Sequence, residues 1–135
     1  MAESLMIEQD IIEDLLTRLS DKSMKGKEAA IEALAISTED DGWRPEELIR
    51  QGGIKIVRNM LQAKNKHIVY SALKIIVAVA STGETEALIE EGVIACLDAM
   101  ADDKNPAIRE KAREALALLQ PDVGYAVMSK PQDEY

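Results

Sequence analysis

Phenylalanine is absent from this chain, which has only one tryptophan and three tyrosines. Its core must therefore be built from Leu, Ile, Val, Ala and Met, a mixture that suits helices packed on helices. A single cysteine excludes an internal disulfide and fits a reducing compartment. With one histidine and one cysteine there is no ligand set for a zinc site. The longest uncharged run, from Ile75 to Gly83, is far too short to span a bilayer. The first ten residues, MAESLMIEQD, carry neither a basic nor an apolar leader segment, so no secretory signal is expected and the cytoplasm is the expected compartment. Base excess is lacking as well. A net charge of -9 argues against sequence-independent binding to nucleic acid or to an anionic membrane surface.

What is present is a chain of 135 residues, 47% apolar and 30% charged, which places it among globular rather than disordered domains. Its organisation is repetitive. Shifted by 40 residues, Glu46, Leu48, Ile49, Gly52, Ile54 and Met60 fall on identical residues at 86, 88, 89, 92, 94 and 100. Asn65 then falls on Asn105, Ile68 on Ile108, Ala72 on Ala112 and Val79 on Leu119. That period points to a helical solenoid. An earlier partial copy shows as an apolar stripe, Ile11, Ile12, Leu15, Leu16 and Leu19, followed by Ala30, Ala33 and Leu34.

Chemical punctuation marks the helix ends. Asn105-Pro106 supplies a cap and then a proline at the first helical position, where no N–H is needed. Asn65 can cap the helix after it, and Pro45 can open one. Gly83 and Pro121 stop helices. The pattern predicts helices near 4–20, 22–38, 45–51, 54–63, 65–81, 84–91, 93–102 and 105–120, with no competing strand. Gly52 and Gly92 interrupt apolar stretches where a glycine costs about 1 kcal/mol inside a helix. They are expected at the sharp handover from a short helix to a longer one, where φ > 0 or close backbone approach is required. Gly53 aligns with Val93 and is expected to accept valine better than Gly92.

The stretches LIRQGGIKIVRNML and LIEEGVIACLDAM resemble the first-to-second helix junction of armadillo repeats, and IVYSALKIIVAVA resembles that family's third helix. The resemblance covers roughly residues 10–120, as two full three-helix repeats preceded by a two-helix partial one. It implies an all-α, short right-handed solenoid over residues 1–120, with residues 121–135 as a tail that is disordered, laid on the last repeat or bound to a partner. It also implies a groove along the third helices that holds extended peptides through a Trp and, four residues later, an Asn. Here those positions hold Lys74 and Ala78, Glu114 and Leu118, and Glu32 and Ile36. Ala, Leu and Ile cannot bond a peptide backbone, so capture by an asparagine ladder is put in doubt.

In place of the ladder, Ile36, Val77, Ala78 and Leu118 are expected to form an apolar inner strip bordered by Glu28, Glu32, Tyr70, Lys74, Glu110 and Glu114. The strip either suits a helix or a second copy of the chain, or joins the core. Charge is unevenly spread: residues 52–81 contain no acid and five bases, Lys55, Arg58, Lys64, Lys66 and Lys74. This basic middle repeat is expected either to receive an acidic partner or to neutralise its acidic neighbours. His67 is expected to be solvated at a helix start, Cys96 to be a buried inert thiol, and Trp43 to plug the junction of the first two repeats. Gly52-Gly53 lacks the Lys-Ser/Thr that a phosphate loop needs, and EDDGWRPEE lacks calcium-loop spacing. No catalytic, cofactor-binding or metal residue is assigned.

The expected function is that of a small protein–protein interaction module, binding a partner protein or itself through Ile36, Tyr70, Lys74, Val77, Ala78 and Leu118, with Lys55 and Arg58 as further contacts. Two alternatives are a structural capping subunit and an enzyme or cofactor-binding accessory protein with His67 or Tyr70 in a cleft.

Overall fold

The computed structural model describes residues 12–20 and 24–120, and the expectations placed on the tail lie outside them. Among the described residues the structure is all helical. Helix α1 covers 12–19, and α2 runs Met24–Ser37, α3 Glu46–Arg50, α4 Gly53–Met60, α5 Lys66–Ser81, α6 Thr85–Glu90, α7 Val93–Met100 and α8 Pro106–Leu119. These spans match the expected ones to within a few residues where described.

Helix α5 (KHIVYSALKIIVAVAS) is rich in β-branched residues, which are indifferent helix formers. Burial holds it instead. Ile68, Ala72, Leu73, Ile75 and Val79 are completely buried, and the helix packs between α2 and α8 while α4 covers another side. Helices α2, α5 and α8 thus form one layer, and the short helices lie behind it. Trp43 packs against the core at the start of the second repeat, as expected. Cys96 is half-buried rather than buried, as is Ile56 at the same register on α4, and both pack against the core.

Each long helix of a full repeat starts with the same device. Asn65 Oδ1 accepts from the amides of His67 at 2.8 Å and Ile68 at 3.3 Å. Asn105 Oδ1 accepts from Ala107 at 2.9 Å and Ile108 at 3.3 Å. Both satisfy amides that the helix cannot. Asn65 also donates from Nδ2 to Glu28 Oε1 at 3.2 Å, tying its repeat to the preceding one.

Gly52 and Gly92 both stand at φ 75°, between α3 and α4 and between α6 and α7. Their amides donate to the carbonyls of Ile49 and Ile89 at 3.0 Å, closing the short helix as the chain turns. A Cβ on either would meet nothing within 4 Å, so the requirement is for the left-handed conformation and not for space.

Gly53 corrects an expectation. A Cβ there would lie 2.3 Å from Leu48 Cδ1 and 3.0 Å from the Leu48 carbonyl oxygen. Leu48 is almost fully buried, as is its third-repeat counterpart Leu88, so it is how Leu48 lies against Gly53, and not which residue stands there, that crowds a Cβ. The aligned valine is therefore no guide to what Gly53 tolerates.

Two stability measurements follow. Gly92→Ala is expected to cost about 1–2 kcal/mol from the left-handed backbone alone, with Gly92→Asn recovering part of it. Gly53→Val is expected to cost about 1–3 kcal/mol by overpacking against Leu48; denaturant midpoints equal to wild type would refute either account. Asn105→Ala is expected to cost about 1 kcal/mol as a lost cap, and Asn65→Ala more, because it also breaks the bond to Glu28. Equal midpoints for the two alanine variants would show that the Glu28 bond contributes nothing.

Candidate functional site

Along α5, His67, Tyr70, Ser71 and Lys74 fall at the i, i+3, i+4, i+7 spacing that puts side chains on one face of a helix. Glu32, Ala35 and Ile36 do the same on α2. These seven residues line a cleft of about 240 Å³ where α2 and α5 meet. Its walls are partly apolar, made of Ala35, Ile36 and the Tyr70 ring, and Glu32 and Lys74 add opposite charges. Ile36 is 63% exposed, an unusual state for a large aliphatic side chain in the described core-forming helices.

Lys74 is already engaged. Its Nζ lies 3.6 Å from Glu39 Oε2 and 5.9 Å from the centroid of the Tyr70 ring, within reach of a cation–π attraction. Glu39 comes from the connection between α2 and α3, which is longer than its counterpart between α5 and α6. His67 and Ser71 share the stripe, and no hydrogen bond joins them among the described residues.

Of the residues expected at the site, the structure brings Ile36, Tyr70 and Lys74 together in the cleft. Val77 and Ala78 lie further along α5 and are half-buried, with Val77 packed against the core. Leu118, at the register of Ala78 on α8, is 37% exposed. Lys55 and Arg58 belong to α4, in the other layer. His67 is exposed as expected, yet it belongs to the cleft; its spacing from Tyr70 and Lys74 was the available signal. Glu28 is engaged by Asn65, and Lys111 Nζ reaches Glu114 Oε1 at 3.0 Å.

A second, wider recess of about 610 Å³ lies where the loop after α7 approaches the start of α5, lined by Lys66, Asp102, Asp103, Lys104 and Asn105. Lys66 Nζ is 3.7 Å from Asp103 Oδ2. Arg113 on α8 closes the end of α7, donating from Nε to the Ala101 carbonyl at 2.9 Å. Arg109 donates from an Nη to the Asp103 carbonyl at 3.1 Å. Among the described residues no cluster of His, Cys, Asp and Glu is placed to hold a metal ion, and no helix is long and apolar enough to cross a membrane.

No protein family and no curated protein matches the chain. Solved structures do. A designed armadillo repeat protein aligns at 17% identity with a TM-score of 0.72, over 86% of this chain and 53% of its own. A second designed armadillo repeat protein, in complex with the peptide (KR)4, aligns at 20% identity and TM-score 0.72, over 86% and 51%. A computationally designed armadillo repeat protein for modular peptide recognition aligns at 21% identity and TM-score 0.71, over 77% and 44%. The chain spans about half the length of these structures. Short helix, left-handed glycine, medium helix, asparagine cap and long helix recur at a fixed period and superpose on those scaffolds: the chain has an armadillo-like repeat fold.

Proposed function

We propose that this chain is a protein–protein interaction module that holds an amphipathic helical segment of a partner against the layer formed by α2, α5 and α8. The observation that carries this reading is Ile36, 63% exposed at the lip of a cleft walled by Ala35 and Tyr70. An apolar side chain left in water beside an apolar recess gains by being covered. Ile36, Ala78 and Leu118 cannot bond a peptide backbone, so recognition through inserted side chains replaces recognition of an extended main chain.

The rim of this layer selects charge. Glu28, Glu32, Glu39, Glu110 and Glu114 stand on this layer with Lys27, Lys74 and Lys111, and Lys74 and Lys111 are paired with rim acids. The excess is acidic, which favours a segment with an apolar face flanked by Lys or Arg. One designed neighbour was solved with a basic peptide, which is compatible with such a preference on this fold.

A second reading, a unit that caps a larger assembly, also has an observation behind it. Ile89 is 44% exposed, and Ile94 and Met100 are half-buried, whereas Ile54 and Met60 in the second repeat are at most 9% exposed. The third repeat therefore leaves uncovered what the second repeat buries.

One selection experiment separates the readings. Peptides displayed in helical and extended formats would be selected on the immobilised chain. Helical, apolar-faced and base-flanked sequences are expected, with affinity falling at least about tenfold for Ile36→Asp, as for a central contact, and unchanged for Ile89→Asp. Loss confined to Ile89→Asp would favour the capping reading. Binding indifferent to both substitutions would refute an apolar docking face.

A further inference from the structure

Of the five bases between residues 52 and 81, two are answered by acids of neighbouring repeats, Lys66 by Asp103 and Lys74 by Glu39. Lys55, Arg58 and Lys64 make no ion pair among the described residues. Lys55 and Arg58 stand three residues apart on α4, as neighbours on one helix face, and Lys64 is exposed in the connection that follows. Helix α4 packs on α5 from the side away from the α2–α8 layer, so these cations do not share the cleft.

Arg58 is placed unlike a solvated arginine. It is half-buried, and its Nε is covered by protein without a hydrogen-bond partner. Covering that atom fixes the stem, which lowers the entropy lost when the guanidinium meets an anion. An unanswered, partly desolvated guanidinium attracts a carboxylate more strongly than a fully solvated one does.

We infer that Lys55, Arg58 and Lys64 form a second docking surface, on the outer layer, for a short acidic segment of another protein. Charge complementarity selects the occupant, and the surroundings set its length. Residues 1–51 carry 13 acids against 6 bases and residues 82–120 carry 9 against 4. A long polyanion such as DNA, or an extended anionic membrane surface, has to run beyond these cations against the chain's net charge of -9. A segment of a few Asp or Glu residues need not. The surface is independent of the cleft proposed above and of opposite sign to its rim.

The test uses an octapeptide of glutamate, with an octapeptide of glutamine as control, and reads fluorescence anisotropy together with amide shifts by NMR. The glutamate peptide is expected to bind the full chain, shift amides of α4 and of Lys64, and weaken between 50 and 200 mM salt. Lys55→Gln with Lys64→Gln, both at exposed positions, is expected to weaken binding about three- to thirtyfold, two exposed pairs at typical strength. Ile36→Asp and Lys74→Gln are expected to leave it unchanged. Equal binding of both peptides, shifts confined to α2 and α5, or tighter binding to duplex DNA or phosphatidylserine vesicles would each overturn the inference. So would sedimentation showing self-association that the Lys55/Lys64 variant abolishes, since the occupant would then be a second copy.

Discussion

Everything else in this structure depends on α5 being enclosed by three neighbours. A helix whose buried residues include Ile68, Val69, Leu73, Ile75, Ile76 and Val79 is apolar around most of its circumference, and such a helix is stable only when covered on most sides. Helices α2, α8 and α4 supply the cover. One narrow stripe, through Tyr70, Lys74 and Val77, is left incompletely buried. The candidate site is therefore small because the packing that holds the central helix consumes most of its surface.

The repeat geometry then decides where charge can go. The middle repeat brings bases and no acids, and its neighbours bring the acids. Two of its lysines end beside neighbouring carboxylates, at 3.6 and 3.7 Å, distances and exposures at which such pairs contribute little stability. On the readings proposed above their larger effect would be on recognition, because they neutralise the inner-layer lysines of this stretch and leave unanswered only Lys55 and Arg58 on α4 and Lys64 after it, among the described residues. The two faces of a single repeat thus acquire opposite signs from one acid-free stretch of sequence. A charge count along the chain could not separate them; the layer assignment does.

Much of the fold was legible in the residues. The 40-residue register, the asparagine caps and the glycines at the helix junctions each follow from local chemistry repeated twice. What escaped was non-local or unrepeated. Gly53 looks interchangeable with Val93 in register, but a Cβ there would crowd Leu48. His67 reads as a solvated helix start, with a cleft position only in the alternative reading, and it is both exposed and part of the cleft lining. Lys74 is expected either to meet an acidic partner or to be neutralised by a neighbouring repeat, and the register does not show that Glu39, in the connection between α2 and α3, is the acid that reaches it. Of the residues expected at the site, three meet in the cleft, and the others divide between the remaining inner layer and α4.

The lack of an asparagine ladder at positions 36, 78 and 118 bears on how these repeats can recognise a partner. Asparagines bond a main chain wherever it passes, so affinity grows with the number of repeats and a short array is weak. Apolar insertion concentrates the gain at one recess, where a covered aliphatic or aromatic side chain contributes about 1.5–3 kcal/mol without needing a long groove. On the reading proposed above, Ile36 beside the Tyr70 ring is where these repeats would gather that gain, and the acidic rim would add selectivity where it cannot add much affinity. On that reading, repeats that recognise an inserted apolar side chain in place of a main chain would exchange generality of peptide binding for preference among partners.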